Sequence, residues 1–262
     1  MTATPFAERY GPYALVAGAS EGLGAAFADG IARRGVNLVL LACCEDQLAA
    51  TAARVKQTHG VDAVTVVADL ADIDAVIARL RALDLPIGLL VYDAAFAPIG
   101  PFEHATEQQL AQAAAVNVRG PLLLAKALSA PMIARGRGGI VLMSSLAGSQ
   151  GSPNIAAYAA TKAFNTTLAE GLWKELKPRG VDVLACVAGA ILTPGYQQAE
   201  GSKPAPGTLA PEQVAEQALN ALGHGPIVIP GAVNKVGRFV LARLLTRRAA
   251  IALMSKNTGG LS

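Results

Sequence analysis

Three cysteines, three histidines and no long apolar run are all that this 262-residue chain offers for disulfides, metals or a membrane span. Cys43 and Cys44 are adjacent, a spacing that seldom pairs, and Cys186 sits inside an apolar run. An odd number of cysteines in such contexts predicts free thiols in a reducing, cytoplasmic setting. His59, His104 and His224 are scattered, with none at ligand spacing to a cysteine, so no metal site is expected. No apolar stretch reaches the roughly 18 residues needed to span a bilayer. The N-terminus lacks a cationic segment followed by an apolar one, so no signal peptide is expected. Neither charge sign is in large excess: 22 Lys and Arg face 19 Asp and Glu, a net charge of +3. No basic tract is interleaved with aromatics, so nucleic acid is not an expected partner. There is no internal repeat and no low-complexity tract.

What the chain does have is alternation. Apolar runs rich in Val, Leu and Ile fall at residues 13–17, 37–42, 63–68, 88–92, 139–143, 181–187 and 227–229. Stretches with helical periodicity lie between them, at 23–34, 46–58, 73–82, 107–135, 155–177 and 211–222. Near-continuous apolar strands separated by helices predict a parallel sheet covered on both faces. The expected fold class is therefore α/β, a doubly wound Rossmann-type sheet in three layers, α/β/α. The length suits one domain over residues 1–262 with a substantial core. In such sheets ligands bind in the crevice at the carboxyl ends of the strands.

Tyr158-Ala-Ala-Thr-Lys162, with Ser145 upstream, carries the most chemistry. Four residues apart on a helix, Tyr158 and Lys162 share a face. A free phenol, with a pKa of about 10, is a poor acid–base group near neutrality. A nearby ammonium favours the phenolate and lowers that value, and a phenol so tuned can exchange a proton with an alcohol oxygen. Ser145 can hydrogen-bond the same oxygen. Alone, a Tyr-x-x-x-Lys is more often an ordinary surface pair. A second signal changes that balance. In Tyr13-Ala-Leu-Val-Ala-Gly18-Ala-Ser20-Glu21-Gly22-Leu23-Gly24, the glycines stand between a strand and a helix. Backbone N–H groups and a helix N-terminus can receive a pyrophosphate at such a turn. The spacing is G-x-x-x-G-x-G, not the commoner G-x-G-x-x-G.

Together these segments resemble the short-chain dehydrogenase/reductase family of the Tyr-x-x-x-Lys type, over nearly the whole chain. Gly18, Gly22 and Gly24 match its glycine motif. Asp69-Leu70 matches the acidic residue that follows the third strand and lies by the adenine ring, Asn117 the asparagine of the fourth long helix, and Gly189 and Thr193 the segment after the sixth strand. Asn117, Ser145, Tyr158 and Lys162 match the catalytic residues. The resemblance implies that Tyr158 is the acid–base group and that Lys162 lowers its pKa and binds the nicotinamide ribose. It implies that Ser145 orients the carbonyl and that Asn117 helps hold a water leading to Lys162. Ser20, Glu21, Leu23, Cys43, Asp93 and Ile191 join the expected cofactor contacts.

Five departures stand out. Ala17 replaces a threonine before the first glycine, Tyr92-Asp93-Ala94-Ala95 stands for Asn-Asn-Ala-Gly, and Ala188 replaces a proline before Gly189. Glu21 stands where many NADP-preferring members carry a basic residue nearby. Ala42-Cys43-Cys44 ends the second strand, with neither the acid that selects NAD at position 42 nor the arginine that selects NADP at 43. The flanking Leu-Leu-Ala and Glu-Asp-Gln-Leu are similar to NADP users, which tips the expectation slightly to NADP(H) over NAD(H). Asp93 puts a carboxylate at the sheet's end, where it must find donors or shift its pKa.

The expected activity is hydride transfer between NAD(P)(H) and a hydrophobic secondary alcohol or ketone, or an aldehyde, as a carbonyl reductase or alcohol dehydrogenase. Phe96, Ile99, Phe102, Ile191, Leu192 and Tyr196 near the mouth suggest the apolar substrate. The rivals are a cofactor-binding regulatory protein without turnover and a lyase or epimerase of the same fold. Residues 190–210, rich in Pro and Gly, read as a lid loop. The C-terminal segment from residue 234 mixes apolar residues with Arg238, Arg243, Arg247 and Arg248. It reads as a helix packing on the domain or a partner subunit, in preference to a membrane-surface contact. The long helices at 107–135 and 155–177 imply, through the resemblance, a homodimer or homotetramer.

Overall fold

All seven expected strands form, and they join one sheet. A computed structural model of the chain describes residues 5–193 and 205–258. The strands are β1 (Tyr13–Ala17), β2 (Asn37–Ala42), β3 (Ala63–Val67), β4 (Ile87–Tyr92), β5 (Gly138–Ser145), β6 (Val181–Ala188) and β7 (Ile227–Val228). Their order is β3-β2-β1-β4-β5-β6-β7, and every pairing is parallel. Helices α1 (Pro5–Tyr10), α2 (Gly22–Arg33), α3 (Glu45–His59), α4 (Ile73–Ala82), α5 (Glu107–Ala114), α6 (Gly120–Ala134), α7 (Ala156–Leu176), α8 (Pro211–Ala221), α9 (Ala232–Phe239) and α10 (Arg247–Thr258) complete the chain. The architecture is the doubly wound α/β fold.

Side-chain alternation divides the core into two slabs. On β1, Ala14 and Val16 face α2, α3 and α8, where Phe27, Ile31, Leu48 and Leu219 pack. Leu15 and Ala17 face α4 and α6, where Ile73, Val76 and Leu124 pack. Burying one such leucine or phenylalanine is worth about 1.5–3 kcal/mol, which explains why the strands read as unbroken apolar runs. The order reverses between β1 and β4, and that switch point opens the crevice at their carboxyl ends.

Two elements depart from the periodicity. First, α1 gave no apolar signal. It closes the opposite end of the sheet, where Tyr10 Oη and Arg9 Nε donate to the buried Asp182 at 2.8 and 2.5 Å. Second, the expected helix at 107–135 is not continuous. A π turn at Ala115–Arg119 separates α5 from α6. Gly120 N donates to Ala115 O, so Val116 O loses its α-helical donor and accepts Tyr92 Oη at 2.6 Å instead. Pro121 has no N–H, so Asn117 O also lacks its α-helical donor.

Candidate active site

The glycine turn is shaped by contact. A Cβ on Gly24 would lie 1.9 Å from Gly18 O, and one on Gly18, at φ +96°, would lie 2.7 Å from Ala94 N. The first turn of α2 thus presses onto the end of β1 and onto the segment after β4. The Gly18 and Ala19 amides are tied to Leu41 O, at 2.8 and 3.2 Å. The α2 N-terminus faces the crevice with no side-chain cap at Glu21. These residues fit the pyrophosphate of a dinucleotide, because a side chain at either glycine would close the turn. One group works against it: the Asp93 carboxyl lies close enough to this turn for the Gly24 N–H to favour its charged form.

A cleft beside this turn is lined by Leu23, Asp93, Ala95, Met143, Ser144, Ser145, Tyr158, Lys162, Ala188, Gly189 and Ile191. Seven of the expected site residues meet there. Lys162 is buried, and its Nζ donates to Met143 O at 3.1 Å. Ser145 ends β5 and caps the short turn after it, its Oγ accepting from Ala147 N at 3.2 Å. Its hydroxyl also favours the charged form of the Tyr158 phenol. Lys162 Nζ lies 5.5 Å from the centre of the Tyr158 ring.

The electrostatics differ from the expectation. Tyr158 does not sit below its ordinary value but is pushed up to about 12. Burial raises it most; Ser145 pulls it down and the Asp93 carboxylate pushes it up. Lys162 is itself lowered to about 8, first by burial and against the pull of Asp93. Asp93 is raised to about 7 by burial, opposed by Lys162 and by the Gly24 N–H. Its carboxyl still touches the open crevice. Burial is thus the first influence on the charge state of the cleft, and the Asp93 carboxylate acts on Tyr158 and Lys162 after it.

Asn117 is fully buried one layer behind the cleft. Its Nδ2 donates to Phe96 O at 2.7 Å and to Thr161 Oγ1 at 3.1 Å, and its Oδ1 accepts from Phe96 N at 2.8 Å. The side chain fixes the segment after β4 to α7; only its main chain, in the π turn, is left for a water. Gly22 completes the turn at φ +56°. Ser20 O accepts Thr51 Oγ1 at 3.0 Å, tying the turn to α3. Farther along, Cys43 is exposed at the end of β2, with its Sγ 3.8 Å from Cys44 Sγ. Asp69 is exposed, its Oδ1 accepting from Ala71 N at 2.9 Å, and Leu70 is buried beneath it. Thr193 follows Ile191, which bridges to Leu209. Leu192 N donates to Leu209 O at 2.9 Å, so the two flanks of the expected lid are paired. Most of that lid, with Tyr196, lies outside the described residues.

Four supporting residues escaped the sequence reading. Ser144 Oγ donates to Lys162 O at 2.7 Å, and Thr161 Oγ1 donates to Tyr158 O at 2.8 Å. Asn165 Nδ2 reaches Met143 O at 3.4 Å, and Tyr92 holds the π turn. Polar residues on an apolar strand or on the buried face of a helix were the available signal. No group of three or more His, Cys, Asp or Glu that could hold a metal occurs among the described residues.

A sequence model of the short chain dehydrogenases matches residues 12–203. The chain belongs to that family. Short-chain dehydrogenases are NAD(P)-dependent oxidoreductases, and this chain is an NAD(P)-dependent short-chain dehydrogenase/reductase. It is 29% identical over 233 residues to the 7beta-hydroxysteroid dehydrogenase of Clostridium sardiniense, covering 88% of this chain and 89% of that one. A solved 7beta-hydroxysteroid dehydrogenase structure superposes with a TM-score of 0.90 at 28% identity, covering 96% of this chain and 100% of that one. A short-chain dehydrogenase from Sphingobium yanoikuyae in complex with NADPH gives 0.77 at 31%, covering 95% and 94%.

Proposed function

We propose that this short-chain dehydrogenase interconverts a hydrophobic secondary alcohol and its ketone, with Tyr158 as the acid–base group and Ser145 holding the reacting oxygen. The observation that carries the reading is the single cleft in which Ser145, Tyr158 and Lys162 meet the glycine turn. The turn at Gly18, Ser20, Gly22, Leu23 and Gly24 would hold the pyrophosphate, with Asp69 and Leu70 beside the adenine. Lys162 would hold the nicotinamide ribose, and Gly189, Ile191 and Thr193 the nicotinamide. The bound dinucleotide supplies the hydride. Tyr158 donates its proton to the carbonyl oxygen in reduction and takes it back in oxidation. Ser145 hydrogen-bonds the same oxygen. Asn117 ties the π turn to Phe96 and Thr161, and its main-chain carbonyl would help hold a water leading to Lys162.

An apolar substrate is supported by what borders the cleft. A hollow along the first turn of α7 is lined by Ile99, Phe102, Leu110, Ala156 and Ala157. Ile99 and Phe102 there, and Leu192 nearer the cleft, are exposed among the described residues. The similarity to hydroxysteroid dehydrogenases points the same way, to bulky, rigid, apolar ketones. NADP(H) remains slightly favoured, supported by the NADPH-bound neighbour, and a homodimer or homotetramer along α5 to α7 is retained. The test is NADPH and NADH oxidation against a panel of ketosteroids, bulky aromatic ketones and keto sugars. Turnover confined to the apolar ketones is expected. Turnover of keto sugars alone would overturn the substrate class. Binding without any turnover would favour the regulatory reading, and turnover without net cofactor oxidation the lyase or epimerase reading.

A further inference from the structure

The last part of the chain has a charge pattern of its own. Residues 217–262 carry Lys235, Arg238, Arg243, Arg247, Arg248 and Lys256 and no Asp or Glu. The preceding 216 residues hold the other sixteen Lys and Arg and all nineteen acids. This segment folds as α9, a π turn at Val240–Leu244 and α10. Two anchors fix it to the rim of the cleft. Asn234 is buried against Gly189, and its Nδ2 donates to Gly207 O and to Pro230 O, both at 3.0 Å. Arg247 Nη1 donates to Ser149 O at 3.0 Å, and Ala250 is buried.

Among the described residues the opposite face is largely uncovered. Val233, Val236, Phe239 and Leu244 are 59–66% exposed, and Leu253 is 44% exposed. The first three recur every third residue, on the side of α9 away from Asn234. Exposed Lys235, Arg243 and Arg248 border them. Among the described residues no acid forms an ion pair with any of these three. Packing on the domain, the use favoured from sequence, accounts for the Asn234 side only.

We propose that the outer face of α9 and the turn after it docks on an anionic lipid bilayer. Apolar side chains on a short amphipathic helix enter the headgroup boundary, and flanking cations meet the lipid charge. A segment without acids meets no repulsion there. A second copy of the chain fits less well. A two-fold contact centred on this segment would set cations against cations, with no acid in the segment to pair them. The segment that carries this face is anchored on its other side to Gly189 and Ser149, at the rim of the cleft, so docking would hold the cleft near the surface where apolar ketones partition.

The test is sedimentation of the full-length protein with phosphatidylcholine vesicles, with and without about 30% phosphatidylserine. Binding to the anionic vesicles only is expected, and raising the salt to about 0.5 M should release it. Val236→Ser with Phe239→Ser should weaken partition by roughly tenfold or more and leave NADPH binding unchanged. Lys235→Glu with Arg243→Glu should do the same, and this pair, on exposed positions, serves if the apolar variant fails to fold. Wild-type protein that ignores anionic vesicles, or variants that partition as well as wild type, would overturn the proposal. So would a Phe239→Ser variant that changes oligomeric state while the wild type binds no vesicle.

Discussion

Lys162 in the cleft and Cys43 just past the end of β2 have unlike surroundings. Lys162 is buried, its ammonium on Met143 O and its own carbonyl taken by Ser144. Tyr158, one turn earlier, has its carbonyl fixed by Thr161, which Asn117 holds in turn. Cys43 is exposed, with the Cys44 thiol 3.8 Å away as its nearest polar partner. The surroundings of Lys162 are thus determined by several interlocking contacts, whereas Cys43, where the adenosine ribose is proposed to lie, is left open. A substitution at the first should cost a great deal of activity. One at the second can change cofactor preference without disturbing the fold.

The sharpest way to break this contrast is at Tyr158. Tyr158→Phe keeps the ring in place and removes the proton. Turnover should fall by about two to four orders of magnitude, while NADPH affinity, read by fluorescence titration, stays nearly constant. Near-normal turnover of the true substrate would mean that another group moves the proton.

A smaller effect is expected at the open end. Cys43→Arg introduces a guanidinium where a 2′-phosphate would lie. It should tighten NADPH over NADH by about 1.5–3 kcal/mol through charge-assisted hydrogen bonds. The exposed thiol of Cys43 leaves room for the longer side chain, so the melting temperature should hardly move. An unchanged NADPH dissociation constant would show that residue 43 does not face the ribose.

How much of this was legible in the sequence followed from how local each signal is. Strands β1, β2, β4, β5 and β6 were readable because each is an apolar run buried on both faces, as in β6, where all eight residues are buried, and the edge strands β3 and β7, only partly buried, still carry Val and Ile. The Ser145–Tyr158–Lys162 meeting was readable because helical spacing and a strand end fix it. The break at Ala115–Arg119 was only half readable. Pro121 signalled an interruption, but the π turn also needs Tyr92 Oη, which comes from a strand 24 residues away in sequence. The height of the Tyr158 pKa was not readable at all. It depends on burial and on Asp93, a residue the spacing of the catalytic motif does not include. Helix α1 was missed because what it satisfies, Asp182, is more than 170 residues away.

Asp93 offers the smallest effect and the finest test of the same contrast, since it lies close to the Gly24 amide and acts on the Lys162–Tyr158 pair. Its carboxyl titrates at about 7, against an ordinary 3.8. Between those values the unfolded chain has lost the proton and the folded chain keeps it, so folding stability falls as pH rises across that window. Asp93→Asn removes this loss. Its melting temperature relative to wild type should therefore climb from pH 5 to pH 8, by the equivalent of about 1–3 kcal/mol, a few degrees, with solvent in the crevice damping the effect. Cofactor binding should follow the same sign. A negative Asp93 opposes a pyrophosphate at the glycine turn, so wild-type NADPH affinity should weaken as pH rises through about 7. The Asn variant should bind several-fold tighter at pH 8 and nearly equally at pH 6. It should also lower the kinetic pKa of Tyr158, because the charge that holds the phenol up is gone. If the gap between the two proteins is the same at every pH, the carboxyl does not titrate in this range, and burial at the carboxyl end of β4 is weaker than the geometry indicates.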